Sequence, residues 1–175
     1  MAYFKSKTIR GQVYDLDHLD PFDFEIVVDG EGIVVHVEFS CHCFTEALSD
    51  EHTPDIRYRH GTETRAFDVQ RFELSKKLPD ILRTLGTRSV YHTQQGSFFV
   101  LRDEDIEGLK VPYLVFFSAF KAKDKRVHVQ LIVRSAYLKP GMAEYAAPVK
   151  FSTLMRFTRD GKTPPMGPKQ QLKRK

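Results

Sequence analysis

Residues 33–44 read IVVHVEFSCHCF. In an extended strand successive side chains point to opposite faces. Ile33, Val35, Val37, Phe39, Cys41 and Cys43 then share one face, and Val34, His36, Glu38, Ser40, His42 and Phe44 share the other. An apolar row backed by two imidazoles, a carboxylate and a hydroxyl is the pattern of a half-buried strand in an antiparallel sheet. It is also the first place to look for chemistry.

Just upstream, residues 22–28 (FDFEIVV) alternate in the same way, and residues 29–32 (DGEG) carry a strong turn signal. With Gly30 and Glu31 at the tip of a tight hairpin, Val28 faces Ile33, Ile26 faces Val35, Glu25 faces His36 and Asp23 faces Glu38. This register collects the apolar residues on one side and Asp23, Glu25, His36, Glu38 and His42 on the other.

Downstream, the polar residues 45–64, with Pro54, predict a loop carrying His52 and His60 and at most a short helix at 45–51. Residues 65–74 are a strand or the approach to a helix. Ser75 fits an N-cap for a helix at about 76–85, with Leu78, Ile81, Leu82 and Leu85 as its apolar stripe and Gly86 at its end. Residues 90–102 suggest two short strands about a turn at 94–96, and residues 113–121 and 126–137 a hairpin tipped by Lys123 and Asp124. Its core face combines Leu114, Phe116 and Phe120 with Val127, Val129, Leu131 and Val133, and Arg134 stands opposite Tyr113. Residues 149–158 (VKFSTLMRFT) suggest one further strand. The plan is α+β: a mostly antiparallel twisted sheet of about six to eight strands, with one principal helix on one face and the second face free. Residues 1–160 form one domain, and residues 161–175, rich in Pro, Gly and Lys, form a flexible basic tail.

The chain of 175 residues is long enough for one well-buried core. Its net charge of +4 is concentrated in the tail, which has five cations and no acid, so residues 1–160 carry −1. That balance excludes the broadly basic surface of a typical duplex-DNA binder. Charge is nonetheless uneven: residues 15–31 hold seven acids and no Lys or Arg, whereas residues 57–88 hold eight Lys or Arg against four acids. No stretch is apolar enough to span a bilayer, and the N-terminus lacks a signal-like apolar segment. A cytoplasmic protein without membrane contact is expected. Cys41 and Cys43 are badly spaced for a mutual disulfide and form no CxxC motif, so buried thiols are expected.

Several chemistries are disfavoured by missing motifs. There is no GxSxG elbow, no GxxxxGK[ST] loop and no GxGxxG turn. His36, Glu38 and His42 are suitable zinc or manganese ligands. On an extended strand, however, His36 and His42 lie roughly 20 Å apart, so one ion cannot hold both without a bend. No cofactor is therefore expected. Metal-free RNA cleavage asks for less: a base for the ribose 2′-OH, an acid for the leaving oxygen, and cations for the developing charge. His42 and His60 suit the proton transfers. Arg65, Arg71 and Arg134 suit phosphate, and Ser135 or Tyr137 could orient the substrate. The competing role for Arg65 and Arg71 is ion pairing with Glu63, Asp68 or Glu73.

At the late hairpin, YLVFFSAFKAKDKR followed by VHVQLIVRSAYLKP (residues 113–140) resembles the late sheet strand of small ribonuclease toxins of the RelE, colicin-D and barnase-like assemblage. The resemblance implies a compact α+β domain with Arg134, Ser135 and Tyr137 in catalytic positions, RNA as substrate and a protein inhibitor or partner subunit. A metal-independent endoribonuclease of the toxin or defence kind is the leading expectation. A non-enzymatic accessory module of a mobile element, using the free sheet face and the tail, is the alternative. A metal-dependent hydrolase on the first hairpin is the third reading.

Overall fold

The computed structural model describes residues 2–93, 99–103, 111–139 and 148–165. Its centre is a seven-stranded sheet in the order β12-β8-β9-β10-β11-β4-β3. The strands are β3 (Phe22–Val28), β4 (Glu31–Phe39), β8 (Ser89–His92), β9 (Phe99–Asp103), β10 (Tyr113–Lys121), β11 (Val129–Leu138) and β12 (Pro148–Lys150). Every neighbour is antiparallel except β11 and β4, which run parallel. Beside it lie a three-stranded sheet, β5 (Thr45–Glu46), β7 (Glu63–Phe67) and β6 (Arg57–His60), and a β1 (Lys7–Ile9) and β2 (Gln12–Tyr14) pair. The architecture is the expected antiparallel-dominated α+β sheet. The segment read as a loop at 45–64 instead supplies β5 and β6, and the 94–96 turn lies outside the described residues.

The β3–β4 hairpin forms, but shifted by two residues from the expected register. Asp23 faces His36, and Val28 faces Glu31. The tip is Asp29-Gly30, both at positive φ (+53° and +81°), as the two-residue turn that matches strand twist requires. Because the shift is even, no side chain changes face. Ile33, Val35 and Val37 are fully buried. His36 lies between Asp23 (2.5 Å) and Glu38 (3.4 Å) on the other side.

The late hairpin departs further. Phe116 pairs with Ser135 but Phe117 with Val133, so Arg134 is an extra residue in β11. Such a bulge reverses the alternation beyond it. Tyr113, Val115 and Phe117 join Val129, Leu131, Val133 and Ala136 in the core, whereas Phe116 stacks on Tyr137 across the opposite face. Tyr113 faces Leu138, not Arg134. The opposite face is only partly free, since Leu114 and Ser118 on it are buried.

The helices also shift. Asp68 is the cap: its carboxylate accepts from the Arg71 N–H at 3.0 Å, starting α1 (Val69–Ser75). Then α2 (Leu78–Arg83), with Pro79 in its first turn, occupies much of the expected helix. Ser75 caps nothing; its hydroxyl donates to the Phe72 carbonyl at 2.7 Å and accepts from His18 Nε2 at 2.8 Å. After β12, the segment read as a strand becomes α3 (Phe151–Arg159). Phe151, Leu154, Met155 and Thr158, at helical spacing, are its buried residues. The Phe151 ring lies 6.4 Å from Phe24 and 6.3 Å from Phe117, which seats α3 on the apolar face. Arg156 and Arg159 reach Asp29 and Glu31 at the hairpin tip, each at 2.7 Å.

Leu154→Ala, at a fully buried position, is expected to lower unfolding free energy by about 2–5 kcal/mol in urea titration. A pH effect follows from His18, whose imidazole is pushed below its ordinary value by burial and then by Lys76. Below about pH 6.5 the unfolded chain binds more protons at this site than the folded one, so stability falls with acidification. Melting curves between pH 7.5 and 5 should show that fall, and His18→Gln should blunt it.

Candidate functional site

Strand β4 stops at Phe39, and the chain turns through a 3-10 turn at Cys41–Cys43. Ser40 starts it: its N–H donates to Val133 O at 2.9 Å, and its Oγ accepts from the His42 N–H at 3.2 Å. The extended reading of residues 40–44 is thereby corrected. The turn carries Cys41 and Cys43 into the core as free, buried thiols and swings His42 towards the β6–β7 hairpin.

That hairpin supplies the partners by alternation. His60 is paired with Glu63, Tyr58 with Arg65, and Thr45 with Phe67, so these side chains share the inward face. His42 Nε2 lies 2.9 Å and 3.1 Å from the two Glu63 oxygens. Arg65 donates to Glu63 at 3.1 Å through one nitrogen and to Thr45 Oγ1 at 2.8 Å through another. Thr45, fully buried, donates in turn to the Cys41 carbonyl at 2.7 Å. Burial raises the Glu63 carboxyl, but hydrogen bonds from His42 and Arg65 outweigh it and hold it below the ordinary range. Burial, and then the Glu63 charge, push the Cys41 thiol up. The Cys41 sulfur lies 4.0 Å from Glu63 Oε2.

Arg71 anchors the other side. From α1 it donates to the carbonyls of Thr45 (2.8 Å) and His42 (3.4 Å). Its guanidinium lies 5.0 Å over the Tyr137 ring, where the cation meets the negative face of the π system. The Tyr113 hydroxyl, close enough to feel Arg71 and Cys43, is buried without a hydrogen-bond partner among the described residues. At the N-terminus the Tyr3 ring sits 6.1 Å and the Phe4 ring 4.9 Å from His60.

Of the residues singled out from sequence, His42, Arg65, Arg71 and Tyr137 are linked through these contacts, and His60 joins them by register. Ser135 and Arg134 stay apart. Ser135 is half-buried opposite Phe116. Arg134 donates to Ser118 Oγ at 3.2 Å and lies 6.0 Å over Phe120. The set His36, Glu38 and His42 does not assemble either, because His36 is held by Asp23 and Glu38 while His42 turns to Glu63. Among the described residues the ligand atoms that gather are those of Cys41, His42 and Glu63, mutually within 4.8 Å. Sequence reasoning missed Glu63 and Thr45 as site residues. The spacing of Glu63 and Arg65 on a short alternating strand was the available signal.

The sequence matches the YjaZ family over residues 6–159, from β1 to the end of α3. The chain belongs to the YjaZ family. Protein YjaZ of Escherichia coli strain K12 is 32% identical over 136 residues, covering 73% of this chain and 74% of that protein. No solved structure matches. Membership of the YjaZ family overturns the resemblance to ribonuclease toxins, which rested on about 25 residues of one hairpin. None of the described helices is long and apolar enough to cross a membrane.

Arg71 and Arg134 can be told apart by stability. Arg71→Met strands two carbonyls and an aromatic face, and is expected to cost about 1.5–3 kcal/mol. Arg134→Met, at an exposed position, should stay within about 0.5 kcal/mol of the parent in the same urea titration.

Proposed function

We propose that this YjaZ-family protein is a hydrolase acting on RNA, with His42 as the proton-transferring group. The observation that carries the reading is the contact of His42 Nε2 with the Glu63 carboxylate at 2.9 Å, on a side chain 36% exposed. A carboxylate on one ring nitrogen selects the tautomer with Nε2–H, which leaves the Nδ1 lone pair for a substrate proton. Glu63, itself held by Arg65, also stabilises the imidazolium that forms on proton uptake.

In this scheme Nδ1 of His42 removes the ribose 2′-OH proton, the oxygen attacks the adjacent phosphorus, and His60 protonates the leaving 5′ oxygen. The reaction needs no cofactor. Arg65 and Arg71 act as positioning residues, since Arg65 holds Glu63 and Thr45 and one nitrogen of Arg71 holds two main-chain carbonyls. Arg57 and Arg59 alternate with Tyr58 and His60 and so point to the other face of their strand; the basic tail supplies general affinity for phosphate. Tyr137, its ring engaged by Arg71 and Phe116, is left to orient the substrate through its hydroxyl. A cytoplasmic location accords with a substrate of this kind.

Total RNA incubated with the purified protein in EDTA should be cleaved. His42→Ala should reduce the rate by at least about 100-fold, with an unchanged melting temperature. Intact RNA in the presence of the parent protein overturns the reading.

A further inference from the structure

The contact that orients His42 also brings a thiol, an imidazole and a carboxylate to one point. We infer that Cys41, His42 and Glu63 form a site for one zinc-class divalent ion, and that the ion switches the His42 centre off. The binding stands on geometry alone; the switching rests on the proton-transfer role proposed above.

Tetrahedral zinc, with bonds of about 2.0–2.3 Å to N, O and S, sets ligand atoms about 3.4 Å apart for N and O and about 3.6 Å apart for S and O. Here His42 Nε2 and the Glu63 oxygens are 2.9 Å and 3.1 Å apart, and Cys41 Sγ is 4.0 Å from Glu63 Oε2. The two edges to Glu63 change by about half an ångström or less, within reach of a glutamate rotation, and the Cys41–His42 edge, within 4.8 Å, closes by rotation of the two side chains on their turn. His42 and Cys41 are adjacent on one tight turn, so they are already placed, and Glu63 comes from a paired strand. A site on secondary structure requires little ordering of the chain on binding.

The donor set selects the ion. Thiolate and imidazole favour zinc, cobalt and their neighbours over magnesium or calcium, which require oxygen shells. On binding, the Cys41 thiol releases its proton to solvent, and the His42 proton passes from Nε2 to Nδ1 as Nε2 takes the metal. The Nδ1 lone pair that would accept the 2′-OH proton is thereby lost. Thiolate and carboxylate together neutralise the dication, and Arg65 at 3.1 Å from Glu63 leaves the site one charge positive. Three protein ligands leave a fourth position for water. The second histidine–acid group, His36 with Asp23 and Glu38, places its carboxylates on different ring nitrogens, so they do not converge on one point.

Cobalt(II) is the direct probe, because a thiolate ligand gives it an intense near-ultraviolet charge-transfer band. Titrating the full chain with cobalt(II) should raise that band to saturation at one equivalent, and zinc(II) should abolish it. Cys41→Ser should remove the band, Glu63→Gln and His42→Ala should weaken affinity more than about tenfold, and His36→Asn should leave the titration unchanged. Saturating cobalt without the band, or a band surviving Cys41→Ser, overturns the site. Melting curves of each variant establish that it is folded, and the conservative Cys41→Ser keeps the test available should His42→Ala unfold. In the RNA assay, one equivalent of zinc should suppress cleavage and EDTA should restore it. Zinc bound with cleavage unaffected overturns the switch but not the site. No cleavage even in EDTA overturns the hydrolase reading, and the cobalt band still decides the metal site.

Discussion

The parallel pairing of β4 with β11 is the constraint from which the site follows. The two strands pair from Val35 with Val129 to Phe39 with Val133. The ladder then ends with the Ser40 N–H on the Val133 carbonyl. Beyond that bond β11 bulges at Arg134, and β4 has no partner to stay flat against. The chain must satisfy its next backbone groups locally, and the 3-10 turn at Cys41–Cys43 does so, with Ser40 as its cap. His42 and Cys41 therefore leave the sheet at a point chosen by the neighbouring strand.

Around that turn polar groups are satisfied in series. Thr45 bridges the Cys41 carbonyl and Arg65, Arg65 bridges Thr45 and Glu63, and Arg71 gathers two carbonyls before resting on Tyr137. Thr45 is buried and Arg65 and Arg71 are half-buried, where an unmatched donor or acceptor costs about 1–3 kcal/mol. The network supports the turn and aligns the two groups with chemistry on their free sides, His42 and Glu63. One arrangement thus accounts for both local stability and a candidate centre.

The same reasoning reassigns the arginines. Abundance of cations at 57–88 suggested phosphate binding; Arg65, with a side chain only 14% exposed, already spends two of its five donors on Glu63 and Thr45. Arg65 and Arg71 hold the site together; Arg57 and Arg59 face solvent. The ion pairs of Arg65 with Glu63 and of Arg71 with Asp68 were foreseeable from short spacing. The bonds of Arg71 to His42 and Thr45 span 26 residues or more and were not.

Strict alternation, the Asp-Gly turn and the absence of nucleotide or nucleophile motifs are properties of local sequence. They were sufficient for the α+β sheet, its apolar face and the interest of residues 33–44. Helix α3 was legible too, in the spacing of Phe151, Leu154, Met155 and Thr158, but a two-residue period was read where a 3.6-residue period governs. The extra residue at Arg134, the end of β4 at Phe39 and the meeting of His42 with Glu63 belong to tertiary structure. A bulge changes the face of every later side chain at small local cost. A strand ends where its neighbour stops pairing, and the two partners of the site lie 21 residues apart in sequence. Such contacts depend on how separate strands come together, and local pattern contains no term for that.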